Sequence, residues 1–128
     1  MILQIPDLPN NMVGFRAEGE VTKEDFEIVK LQVSHLVEKT GKLNYMLVLD
    51  TSPGDFTLGA WMQDALLGIQ NITKWNRAAI ISDSETVKTF TDVFSKVMPG
   101  EFRGYKQSEY DRAVDWVSER SEDEAYNN

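Results

Sequence analysis

The chain has 128 residues, no cysteine, a single histidine (His35) and a formal net charge of −8. That length fits one domain, which buries roughly two thirds of its unfolded surface and needs neither disulfide nor metal to hold a core. The composition excludes thiol nucleophiles and thiolate metal sites, and it leaves His35 as the sole base for a Ser-His-Asp triad. An acidic chain with scattered bases is also poorly suited to nucleic acid, where Lys and Arg must neutralise phosphates.

The chain opens on a short apolar strand, Ile2 to Ile5, followed by turn formers from Pro6 to Asn11. A second strand alternates Val13, Phe15 and Ala17 with Gly14, Arg16 and Glu18. This period of two predicts a half-buried strand, and the short connection predicts an antiparallel hairpin. Thr22-Lys23-Glu24-Asp25 then has the form of a capping box. The helix it starts runs to about Lys39 and stops near Gly41. At about 100° per residue, Phe26, Val29, Val33, Leu36 and Val37 share its inner arc. Ile28, Leu31 and His35 fall on the far side.

Tyr45 to Leu49 is a nearly continuous apolar run, the pattern of a strand buried on both faces in a parallel sheet. Asp50 to Asp55 reads as a loop with Thr57 as an N-cap. The helix from Leu58 to Thr73 places Trp61, Ala65, Ile69 and Ile72 on one stripe. Ala78 to Ser82 is another buried strand. Asp83 or Ser84 caps a helix with Val87, Phe90, Phe94 and Val97 inward, ended by Pro99-Gly100. A last strand covers Glu101 to Tyr105. Ser108 then caps a final helix with Tyr110, Ala113, Val114 and Val117 inward. The order β-β-α-β-α-β-α-β-α predicts one α/β domain over residues 1–120. Its mostly parallel mixed sheet carries an N-terminal hairpin and about four helices. Residues 121–128 form an acidic tail that is expected to fray.

Several segments carry a family resemblance. They are Gly14 to Phe26, Gly41-Lys42-Leu43-Asn44, Phe56 to Ala60, Asn76 to Asp83, and Pro99 to Arg103. Together they resemble the small bacterial SpoIIAA-like proteins, which are mostly uncharacterised. That family resembles anti-sigma-factor antagonist (STAS) domains and the CRAL-TRIO lipid-binding fold. The resemblance implies a hairpin followed by βα units, and it brings no catalytic residue.

Antagonist domains of the wider superfamily carry a phosphorylatable serine after a central strand, where a helix begins. The matching stretch here is Asp50-Thr51-Ser52-Pro53-Gly54, so Thr51 and Ser52 are the candidate switch residues. Phosphate at a helix N-terminus is stabilised by free N–H groups and by the helix dipole. Pro53, and the residues that intervene before Leu58, depart from the pattern, and a plain turn explains the same hydroxyls.

Trp61, Trp75, Phe90, Phe94 and Met98 are the candidates for an apolar pocket; the alternative is that they simply fill the core. Ile28, Leu31 and Leu67 lie off the core arcs and are the candidates for a partner or homodimer face. Asp50, Asp55 and Asp64 match no calcium-loop spacing, and no nucleotide-binding glycine motif is present. No metal, cofactor or catalytic residue is assigned. A signal-peptide pattern is missing from the first residues, and no run reaches the roughly 18–20 apolar residues of a membrane span. The expectation is therefore a cytoplasmic, non-enzymatic regulatory or interaction module; the alternative is a carrier or sensor of a small hydrophobic, lipid-like ligand.

Overall fold

The computed structural model describes residues 1–19, 22–49, 74–83 and 100–119. Its strands are β1 (Ile2–Gln4), β2 (Val13–Ala17), β3 (Leu43–Leu49), β4 (Trp75–Ile81) and β5 (Glu101–Tyr105). Helix α1 spans Lys23–Thr40, a 3-10 turn covers Gln107–Glu109, and helix α2 spans Tyr110–Val117. The five strands form one mixed sheet in the order β1-β2-β3-β4-β5. β1 and β2 are the antiparallel hairpin; every other neighbouring pair is parallel. The predicted helices at 58–73 and 84–98 and the tail lie outside the described residues.

Local chemistry sets the limits of α1. The Thr22 hydroxyl accepts from Asp25 N–H at 3.4 Å, and Asp25 Oδ2 accepts from Thr22 N–H at 2.8 Å. This reciprocal pair satisfies donors that a helix start leaves without partners. At the other end Gly41 takes the left-handed conformation (φ 80°), and its N–H donates to Val37 O at 2.8 Å. Val29, Val33 and Leu36 are buried and Val37 is partly buried, while His35 is exposed. The side chain of Phe26 is not among those described.

The sheet carries apolar groups on both faces. One face presents Val13, Phe15, Leu43, Tyr45, Leu47, Ala78, Ile80 and Phe102, and α1 packs over its β2 and β3 strands. The other presents Met46, Val48, Ala79 and Ile81 to Ala113, Trp116 and Val117 of α2. β3 lies between the two layers and is buried at every position.

Three sequence expectations need correction. β2 is not half-buried, because Gly14 is buried along with Val13 and Phe15. The β1–β2 loop folds over it, so a Cβ on Gly14 would lie 2.6 Å from Leu8 Cδ1. Ser108 does not cap the last helix. It sits inside the 3-10 turn, and α2 begins two residues later. Finally, Trp116 is buried on α2 although it was not among the expected inward residues, whereas Tyr110 and Val114 are only partly buried.

Register adds a feature that no local pattern announces. Leu43 pairs with Trp75, yet the next residue, Asn44, pairs with Arg77. Asn76 is therefore the extra residue of a β-bulge, which reverses the side-chain alternation at that point. The reversal puts Trp75 on the α1 face with Ala78 and Ile80.

Candidate functional site

The outer surface of α1 is the first candidate. Ile28 is 49% exposed and Leu31 is 55% exposed. Three residues apart on a helix, they lie side by side. The Lys30–Glu27 pair at 3.7 Å lies on the same stretch of the helix. Leu67, the third residue expected on this face, is outside the described residues.

The apolar candidate is a row of rings across the α1 face of the sheet, one from each of four consecutive strands. Phe15 and Tyr45 are 5.9 Å apart by ring centroid, Tyr45 and Trp75 5.9 Å, and Trp75 and Phe102 5.2 Å. Strand spacing of about 4.8 Å makes such contacts between neighbouring strands natural. Burial pushes the Tyr45 hydroxyl well above its usual range. The Trp75 indole N–H is buried and has no hydrogen-bond partner among the described residues. Of the five residues expected around a pocket, Trp75 alone is described, and it is packed in this row. Trp61, Phe90, Phe94 and Met98 lie outside the described residues. So do Thr51 and Ser52, the candidate switch residues, and Asp50, Asp55 and Asp64.

A polar network joins the amino ends of β3 and β4 to the end of α2. Asn44 is fully buried. Its Nδ2 donates to Asn11 O at 3.0 Å, and its Oδ1 accepts from Asn76 Nδ2 at 2.8 Å. Asn11 Nδ2 in turn donates to Ser118 O at 2.8 Å. Glu119 accepts from Lys42 Nζ at 3.0 Å and from Asn76 Nδ2 at 3.4 Å; against the desolvation that raises it, these two contacts hold its carboxyl below the usual range. Arg77 donates to Trp116 O at 2.7 Å and pairs with Glu101 at 3.7 Å. The guanidinium carbons of Arg77 and Arg103 lie 5.1 Å and 4.5 Å from the centroid of the Trp116 ring, within cation–π range. Sequence reasoning missed this cluster. The 113/116/117 spacing was a signal for Trp116, but nothing local marks Asn44 as buried.

A hollow of about 340 Å³ lies within the β1–β2 loop, lined by Gln4, Ile5, Asp7, Leu8, Asn10 and Met12 among others. Among the described residues no group of three or more His, Asp or Glu side chains is placed to hold a metal ion. No described helix is long and apolar enough to cross a membrane.

A mixed five-strand sheet with βα order and an N-terminal hairpin defines a single α/β domain. The SpoIIAA-like family model matches residues 12–118, and the chain belongs to that family. Among solved structures it is similar to an uncharacterised protein of the DUF3478 family with a SpoIIAA-like fold from Shewanella loihica. The TM-score is 0.64 and the identity 25%, over 91% of this chain and 93% of that one. No curated protein gives a significant match.

Proposed function

We propose that the protein is a non-enzymatic regulatory or interaction module that engages a partner protein through the outer face of α1. One observation carries this reading: two large aliphatic side chains, Ile28 and Leu31, stand half exposed side by side on a helix whose opposite face is buried. Single exposed apolar residues are ordinary, whereas adjacent ones supply the apolar centre that a small interface needs. The family's resemblance to antagonist domains, which act by protein contact, supports the same reading.

The test compares the proteins retained by the wild-type chain with those retained by the Ile28→Lys/Leu31→Lys variant. A partner held by the wild type and lost by a variant that melts at the same temperature supports the α1 face. Equal retention by both chains overturns it.

A second reading, a carrier of a small hydrophobic ligand, is favoured by the unpartnered indole N–H of Trp75 in its apolar row. A buried donor without an acceptor costs about 1–3 kcal/mol, so it is either tolerated or met by a bound acceptor. Native and denaturing mass spectra of the gently purified protein separate the two cases. Extra mass that disappears on denaturation supports a carrier, and a ligand-free native mass removes this second reading.

A further inference from the structure

The two edges of the sheet are treated differently. β1 is only three residues long, and Asp25 Oδ1 accepts the N–H of Ile2 at 3.3 Å. This is a plug of the kind that blunts edge strands. β5 is longer, and among the described residues no strand lies beyond it.

The direction in which the β5 backbone groups point follows from one hydrogen bond. Ser82 N–H donates to Tyr105 O at 2.9 Å, and Tyr105 is paired with Ile81. In a parallel ladder a residue turns both of its groups to one neighbour, and alternate residues turn to opposite sides. Tyr105, Arg103 and Glu101 therefore bond inward to β4. Phe102 and Gly104 turn their N–H and C=O groups to the side away from β4, where no other described strand lies.

The side chains flanking this outward position have opposite charge. Glu101 is 63% exposed although it also lies 3.7 Å from Arg77 of its own chain, and Arg103 is exposed with its guanidinium resting on Trp116. Arg103 has no carboxylate partner among the described residues.

We propose that β5 pairs antiparallel with β5 of a second copy about a twofold axis at Phe102, joining two five-stranded sheets. In this register the outward groups of the two Phe102 residues exchange both backbone hydrogen bonds. Glu101 of each copy then stands directly opposite Arg103 of the other, twice. These are the non-hydrogen-bonded positions, where facing residues are closest, about 4.5 Å between Cα atoms. Opposite charges there stabilise the pair and like charges destabilise it. The register centred on Arg103 is disfavoured because it sets two guanidinium groups face to face at a non-hydrogen-bonded position. The Phe102-centred register also sets the two terminal rings of the aromatic row next to each other across the axis. The symmetry is isologous, as in most homodimers. This surface is separate from the α1 face of the proposed function.

The test uses Glu101→Arg and Arg103→Glu. Native mass spectrometry and light scattering across a concentration series should show the wild type at twice its monomer mass. Each variant alone should be monomeric, because like charges then face each other at both contacts. An equimolar mixture should form a heterodimer, because the two arginines of the Glu101→Arg chain then face the two glutamates of the Arg103→Glu chain. Circular dichroism confirms that both variants are folded. The Ile28→Lys/Leu31→Lys variant should keep the dimer mass. A wild type that stays monomeric at all concentrations, a single variant that stays dimeric, a mixture without heterodimer, or a dimer lost on changing Ile28 and Leu31 instead each overturns the proposal.

Discussion

Asp25 Oδ1 accepts the backbone N–H of Ile2 at 3.3 Å across 23 residues of chain, so the first turn of α1 closes the edge of β1. The same carboxylate completes the helix cap with Thr22 and lies 3.7 Å from the charged amino group of Met1. The start of the chain with β1 and the start of α1 are thereby fastened at one side chain. Asp25→Ala removes the carboxylate half of the capping box and the edge plug together while the Thr22 hydroxyl keeps its backbone contact, and should cost about 1–2 kcal/mol, the range of a lost helix-cap interaction. Urea unfolding at neutral pH measures this.

The carboxyl of Asp25 is held below its ordinary range, chiefly by the Thr22 backbone hydrogen bond, with further help from Ile2 N–H. A group whose folded pKa is depressed stabilises the fold fully above its unfolded pKa of about 3.9, and this contribution is lost as pH falls through the folded value. The urea midpoint of the wild type should therefore fall as pH drops below about 4. Asp25→Asn should lower the midpoint at neutral pH and flatten that part of the acid dependence. An unchanged slope would remove Asp25 from the acid response.

Asn44 is fully buried with both ends of its amide engaged, one by Asn11 O and the other by Asn76. Asn44→Ala takes the donor from Asn11 O, leaves Asn76 Nδ2 with only its longer contact to Glu119, and opens a small void. The expected loss is about 1–3 kcal/mol, the cost of unsatisfied buried polar groups. Asn44→Leu should do no better, since it too removes the donor to Asn11 O and the acceptor for Asn76 Nδ2. Equilibrium unfolding of both variants checks this.

Gly100 enters β5 with φ +87°, and a Cβ placed there would lie 3.0 Å from the backbone carbonyl oxygens of both Trp75 and Asn76. Backbone atoms on a neighbouring strand cannot step aside as a side-chain end can. Gly100→Ala should destabilise by about 1–3 kcal/mol, the usual cost of a strained backbone position. Thermal melting against the wild type measures the loss, and an unchanged melting temperature would contradict the conformation at this turn.

Trp75→Phe keeps a ring between Tyr45 and Phe102 and removes a buried donor that has no partner among the described residues. The packing loss from the smaller ring is offset by relief of that donor, so the net change should stay below about 1.5 kcal/mol. Trp75→Ala should cost about 3–5 kcal/mol, as for other large aromatic truncations. Chemical unfolding of the pair separates packing from polarity at the centre of the row.

Much of the fold was legible because its signals are local. The Thr22–Asp25 box and Gly41 bracket α1 to within a residue. Tyr45 to Leu49 is buried throughout, in keeping with its apolar run, and β5 covers Glu101 to Tyr105 as the sequence predicts. The candidate site was much less legible. Ile28 and Leu31 were visible as residues off the inner arc of the helix, because periodicity encodes which face is left out. The outward N–H of Phe102 was not visible, because the direction of a backbone group depends on which strand lies alongside.

The sequence by itself determined the order of the described elements, the hairpin, the parallel character of the sheet and the family. Capping residues, turn formers and hydrophobic periods act within a few positions of one another, and βα alternation constrains the connections. Only the tertiary structure decided that Asn76 is the bulge residue that turns Trp75 onto the α1 face, that Gly14 lies under Leu8, and that Asn44 joins the network reaching Glu119. These depend on contacts between residues far apart in the chain, whose register and approach distance no short window of sequence contains.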